Sequence, residues 1–167
     1  MKIKDKKPLI IICCLISFLS YLYSIKDNYI INPSKSLPRG IYKLYPPQNI
    51  KKGDIVVFKI SDDLQKYMKQ RGYILSSVNT LMKKVAAFSD DKIEIKNNEI
   101  YINNTSWGKI YEYDSKKRSL NKLTNNMILK KDEFLPLSYE DKSFDGRYFG
   151  PIKTSDILSK SEIIFKF

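Results

Sequence analysis

The sequence predicts a mainly β domain with one short helix, placed behind an N-terminal transmembrane helix. Three observations predict it. Residues 8–25 (PLIIICCLISFLSYLYSI) carry no charge. Short runs rich in Val, Ile, Tyr and Phe recur through the rest of the chain, bounded by Gly, Pro, Asn and Asp, which is strand patterning. Lys92–Asn103 (KIEIKNNEIYIN) alternates apolar and polar residues on either side of Asn97-Asn98, the mark of a hairpin. A chain of 167 residues fits one domain plus a targeting segment, divided here into 1–25 (basic tip and anchor) and 26–167 (soluble domain).

The anchor comes first. As a helix, residues 8–25 span about 27 Å, enough for a bilayer core. Tyr21 and Tyr23 fall where an interfacial belt would lie. Lys2, Lys4, Lys6 and Lys7 precede the run, which predicts a cytoplasmic N-terminus and places the soluble domain outside the cytoplasmic (inner) membrane, on the periplasmic side, as a single-pass protein. A cleaved signal peptide competes with this reading. It needs small residues at alternating positions, and Ser20-Tyr21-Leu22-Tyr23-Ser24 offers no such site, so a retained anchor is expected. Cys13 and Cys14 lie inside the run, and the rest of the chain does without disulfides.

The segment 26–38 (KDNYIINPSKSLP) reads as a polar, proline-broken lead out of the membrane. Ile41–Tyr45 and Ile55–Ile60 (IVVFKI) read as strands. Asp62–Arg71 reads as the helix: Leu64, Tyr67 and Met68 share a face, Asp62 and Asp63 suit the N-terminal dipole, and Gly72 suits the stop. Leu81–Phe88 returns to strand character. Residues 104–131 are polar and poorly patterned, a long loop or weak strands over a substrate cleft. Glu133–Tyr139 and Ile163–Phe167 read as the last strands.

Composition excludes several chemistries. The chain has no histidine, which removes Ser-His-Asp and Cys-His mechanisms and His-liganded zinc. Acid–base work falls to Asp, Glu, Lys, Tyr or a terminus, and no metal or other cofactor is expected. The formal charge is +12, but the lysines are dispersed and no basic run reaches five residues, so a lysine-rich surface compatible with anionic lipid is expected, and no nucleic-acid partner.

Three segments bear chemistry. Around Ser36 (NPSKSLPRGIY, 32–42), proline and glycine set a turn that could present a hydroxyl and a backbone N–H together, though by composition alone it is a linker. In Leu81–Phe88 (LMKKVAAF), two lysines sit in an apolar strand. Either both reach solvent from an edge, or one is desolvated and becomes a base near neutral pH. Alternation groups Lys83 with Leu81, Val85 and Ala87, and Lys84 with Met82, Ala86 and Phe88; both faces are apolar, so periodicity does not choose. The third segment, 141–151 (DKSFDGRYFGP), reads alone as a turn with an Asp–Arg pair.

In this order, the segments resemble the type I signal peptidase superfamily, and within it the TraF-type peptidases of conjugative transfer. Ser34–Tyr42 resembles the S-x-S-x-P-x-G-x-Y nucleophile box, Arg71-Gly72-Tyr73 the R-G-Y segment, Lys83–Ala87 the K-R-V-A-A box, and Ser143–Gly150 the S-x-D-S-R-Y-F-G box. The resemblance implies a Ser/Lys dyad with Ser36 as nucleophile and Lys83 as general base. It implies an oxyanion hole from the Ser36 N–H with the Ser34 hydroxyl, Ser143 orienting Lys83, and a supporting Asp145–Arg147 ion pair. It further implies cleavage of a membrane-inserted precursor, a pilin-like subunit, with pilin cyclisation associated with that branch. A general signal peptidase, and a non-catalytic tethered component of the conjugation apparatus, are the alternatives. Lys84 replaces the usual arginine. Ser89-Asp90-Asp91 replaces the usual Pro-Gly-Asp, which predicts a locally different turn.

Overall fold

The charge-free N-terminal run forms one long helix, α1 (Lys7–Ile25). The structure, a computed structural model, describes residues 7–167, with side chains from Ile10 onward; Lys2, Lys4 and Lys6 lie outside the described residues. Ile10 to Ser24 are all exposed, and the stretch Ile10–Asn28 has a mean hydropathy of 1.6, so the helix is long and apolar enough to cross a bilayer. It packs no apolar face onto the domain.

A 3-10 turn (Lys26–Asn28) leads into β1 (Tyr29–Asn32). This corrects the reading of 26–38 as a plain lead. YIIN is too short to show alternation, and it becomes a strand by pairing antiparallel with β2 (Gly40–Tyr45), Asn32 opposite Gly40 and Tyr29 opposite Lys43. β3 (Ile55–Lys59) follows, then α2 (Asp62–Arg71), with the bounds the sequence predicts. Ser61 caps α2 by accepting from the Leu64 N–H (3.3 Å), and Gly72 ends it at φ 70°, a conformation that favours glycine.

β4 (Thr80–Ala87) carries the two lysines. β5 (Ile93–Lys96) and β6 (Glu99–Ile102) form the predicted hairpin, with Asn97 and Asn98 at φ 52° and 57°, as a two-residue primed turn requires. The poorly patterned region yields one strand, β7 (Thr105–Lys109), and is otherwise irregular. The chain ends with β8 (Glu133–Leu137), the single-turn α3 (Gly146–Phe149), the short β9 (Ile152–Lys153) and β10 (Ile157–Lys166). The terminal strand therefore begins well before Ile163. Its first half, ILSKSE, has no clean alternation because a register shift between Ile157 and Ser159 breaks the period.

Seven strands form one antiparallel sheet in the order β1-β2-β10-β3-β4-β8-β9, and β5-β6-β7 form a second. Thus the mainly β architecture holds. β4 lies between two cores. Val85 joins Val56, Phe58, Ile60, Met68, Phe134 and Ile157, while Ala86 and Ala87 join Ile93, Ile100, Ile102, Leu135 and Leu137. The pleat sends Val85 and Ala86 to opposite cores, and the register shift between Val85 and Ala87 lets Ala86 and Ala87 share one. That is why three residues in a row are fully buried.

The altered turn at 89–91 is built without left-handed backbone: none of its residues has positive φ. The Asp91 carboxylate instead accepts the Phe88 N–H (2.9 Å) and pairs with Lys52. A side-chain cap has replaced the glycine.

Candidate active site

The loop around Ser36 is built by Asn32, a residue that the sequence reading left without a role. It is the last residue of β1 and 7% exposed. Its side-chain amide donates to the carbonyls of Ser34 (3.2 Å), Leu37 (3.2 Å) and Pro38 (3.1 Å). Its carbonyl oxygen accepts the Ser34 N–H (3.1 Å) and the Ser34 hydroxyl (2.7 Å). Tyr42 on β2 donates its hydroxyl to Pro38 O (2.7 Å) and holds the other end. One buried amide thus fixes five atoms of a seven-residue turn.

Ser36 is half-buried at the mouth of this turn, its Oγ 3.0 Å from Ser34 Oγ. Because Ser34 gives its proton to Asn32, Ser36 is the donor in that pair. The Ser34 hydroxyl is therefore committed to Asn32 and is not free for an oxyanion in this conformation. Ser36 lines an open cleft of about 570 Å³ with Lys35, Leu37, Pro38, Arg39, Tyr139 and Glu140.

The two lysines of β4 part company. Lys83 is 5% exposed, whereas Lys84 is half-buried, its amine over the Tyr139 ring (4.1 Å to the centroid) and 3.0 Å from the Tyr139 hydroxyl. The Lys83 amine donates to Ser143 Oγ (2.7 Å) and Ser138 Oγ (3.3 Å), and Ser143 Oγ donates to Ser138 Oγ (3.2 Å). Burial lowers the Lys83 amine to about 8, with Asp145 raising it and Arg147 lowering it.

Below this cluster lies a fully buried ion pair. Arg147 Nη1 donates to Asp145 Oδ2 at 2.7 Å. Arg147 Nη2 donates to Ser138 O (2.9 Å) and to Trp107 O. Asp145 also accepts the Ser138 N–H (3.0 Å) and, at the start of α3, the Arg147 N–H (3.1 Å). Burial pushes the Asp145 carboxyl up, opposed by Arg147 and Lys83. The pair fastens Ser138 by its N–H and its carbonyl, and so places the hydroxyl against Lys83.

Of the residues singled out in the sequence, the structure brings Lys83, Ser143, Asp145 and Arg147 into one network, and Ser34 and Ser36 into another. No hydrogen bond joins Ser36 to Lys83 among the described residues. The halves meet through 138–140, where Ser138 touches Lys83 and Tyr139 and Glu140 line the Ser36 cleft. Sequence reasoning missed Ser138 and Asn32. Ser138 ends an ordinary strand pattern, and only the pairing of β4 with β8 brings it to Lys83.

Comparison with known proteins bears on this geometry. Residues 4–166 match the family model described as signal peptidase, peptidase S26. The chain belongs to this family. Members of the S26 family are serine peptidases, and the chain carries that activity class with its membership. Two proteins from Escherichia coli, each described as plasmid transfer protein TraF, are similar to it. One is 31% identical over 145 residues, 77% of this chain and 78% of its own length; the other is 31% identical over 141 residues, 76% of each. A signal peptidase I structure from Enterococcus faecalis overlaps 68% of this chain and 97% of its own, at 18% identity and a TM-score of 0.40, an overlap too loose to argue from. The chain is a TraF-type S26 signal peptidase by family, with a mainly β fold and an apolar N-terminal helix.

Proposed function

We propose that the chain is a membrane-anchored endopeptidase that uses a Ser36/Lys83 dyad to cut the signal segment from a precursor of a conjugation or secretion system. The observation that carries this reading is the buried Lys83 amine with its two serine partners. Family membership brings the reaction class, and the relatives named plasmid transfer protein TraF favour a precursor used in plasmid transfer, for which the sequence resemblance suggests a pilin-like subunit.

The chemistry follows from the hydrogen bonds. In its neutral form the amine has two N–H bonds and one lone pair. Ser143 and Ser138 take the two N–H bonds, so the lone pair is left for the Ser36 proton. A χ1 rotation of Ser36 away from Ser34 turns that proton toward Lys83. Ser36 Oγ then attacks the scissile carbonyl, its proton passes to Lys83, and the Ser36 N–H faces the oxyanion. The ammonium returns the proton to the leaving amine, and an acyl-enzyme on Ser36 remains. Water, deprotonated by Lys83, releases the acid. If the precursor's own amine takes the place of water, the same step closes a ring, which is pilin cyclisation.

The anchor keeps the protein single-pass in the cytoplasmic membrane with Ser36 on the outer side. Ser36 stands 11 residues past Ile25, the end of α1 (36 − 25), near the surface where a signal segment leaves the lipid. Neither a metal nor another cofactor enters the mechanism.

The test is processing of a co-expressed pilin precursor. Ser36→Ala and Lys83→Ala are each expected to abolish it, with Lys84→Ala much milder. Full processing by either dyad variant sinks the assignment. Equal loss at Lys84 shifts the base to that residue.

A further inference from the structure

A second cavity lies beside the dyad network, and the mechanism above makes no use of it. It measures about 470 Å³ and is lined by Tyr73, Tyr111, Tyr113, Leu120, Phe144 and Tyr148, with Asp114, Ser115 and Lys142 among them. That volume is within the range of specific ligand pockets. Five of its walls are aromatic rings.

The Asp114 carboxylate and the Tyr148 hydroxyl of this pocket are already satisfied. Burial by itself pushes the Asp114 carboxyl up, but hydrogen bonds from the Tyr73 hydroxyl (2.6 Å), the Arg118 guanidinium (2.8 Å) and the Arg118 and Lys116 N–H groups (2.9 Å each) hold it well below the usual carboxylate range. The Tyr148 hydroxyl accepts the Tyr111 N–H (3.1 Å). Among the described residues, the exposed Lys142 ammonium is the charged lining group without an ion-pair partner, and it can meet a carbonyl or carboxylate of the guest chain. What the pocket offers is ring surface, which favours a flat apolar guest through stacking and edge contacts.

The place of the pocket identifies the guest. One short segment serves both cavities: Tyr139 and Glu140 line the Ser36 cleft, and Lys142 and Phe144 line the aromatic pocket. Tyr139 and Lys142 are three peptide steps apart, at most about 11 Å. An extended chain lying along this segment covers that distance in about three or four residues. Between the cavities, Ser143 receives the Lys83 amine.

We propose that this pocket is a second recognition site of the peptidase, taking a large aromatic side chain of the precursor about three or four residues from the scissile bond. The inference rests on the Ser36/Lys83 reading and adds a specificity to it. Phe144, stacked on Tyr148 (5.4 Å between centroids) and Tyr67 (5.7 Å), forms one wall for this guest and follows Ser143, the partner of the Lys83 amine, in the chain.

The experiment uses the full chain in lipid vesicles and fluorogenic peptides that differ only in one tyrosine, walked through an alanine background on both sides of the cleavage site. One register three or four residues from the bond is expected to raise kcat/KM about ten-fold, mainly through KM. Tyr113→Ala, an exposed wall residue, is expected to erase that advantage. Equal rates in every register overturn the pocket and leave the peptidase reading standing. An advantage that survives Tyr113→Ala, or one that leucine matches, also overturns it. Cleavage of none of the peptides overturns both. As a second measurement, a benzophenone placed at the favoured register of a peptide bound to Ser36→Ala should crosslink to the 111–120 segment. Crosslinking confined to 35–39 would place the side chain in the first cleft and reject the proposal.

Discussion

Lys83 is costly to bury, and its cost is tied to its use. The folded-state pKa of about 8 lies below the ordinary lysine value of 10.5. In the proposed dyad the neutral amine acts as the base, so kcat/KM should climb about ten-fold per pH unit up to about 8 and then level. A profile that is flat from pH 6 to 9 removes Lys83 from that role. The same shift sets a stability trend. A depressed lysine pKa means that the unfolded chain holds the extra proton between about 8 and 10.5, so Lys83 makes stability rise with pH across that window and costs the fold its full penalty below it. Lys83→Met should therefore abolish activity and raise Tm at pH 7, where about 2–4 °C follows each kcal/mol gained. Asn32 carries the opposite balance. Asn32→Ala frees three carbonyls and the Ser34 hydroxyl, and should lower kcat on the order of 100-fold by loosening the loop around Ser36, at a stability cost of about 1–3 kcal/mol.

Between elements, Arg147 is the clasp. From α3 it reaches the carbonyl that ends β8 (Ser138) and one in β7 (Trp107), and it neutralises Asp145. Arg147→Met leaves the buried Asp145 carboxylate without its counter-charge and takes a donor from the Ser138 and Trp107 carbonyls, and should cost about 3–5 kcal/mol in denaturant unfolding. Gly108 makes the β7 contact possible. It sits at φ 100°, and a Cβ there would collide with Asp141 and approach Arg147. At this scale legibility in the sequence was uneven. Helix α2 was readable to its ends because Asp62, Asp63 and Gly72 are local signals. The hairpin β5–β6 was readable because its turn and alternation are local too. β1 and the start of β10 were not: four residues of β1 show no alternation of their own before they pair with β2, and the start of β10 pairs with β3, far away in sequence.

For the whole molecule, the N-terminal helix and the β domain should be separable. Among the described residues, α1 is exposed from Ile10 to Ser24 and contributes nothing to either core. Residues 26–167 should accordingly melt at the same temperature as the full chain and still cut soluble peptides, while losing most of their activity on a precursor embedded in vesicles. A large drop in Tm on removing α1 would show that the helix packs on the domain. The sequence by itself determined the apolar helix, the mainly β class, the absence of imidazole chemistry and, by resemblance, the boxes around Ser36, Lys83 and Ser143. Those depend on composition, short-range period and local order. Only the tertiary structure decided which of two adjacent lysines is buried, that Ser138 and Asn32 complete the two halves of the site, and that an aromatic pocket stands beside it. The physical reason is that burial and long-range hydrogen bonding belong to the packed sheet. Lys83 and Lys84 have equally apolar neighbours along the chain, and they separate only when β8 brings Ser138 against one of them and Tyr139 beneath the other.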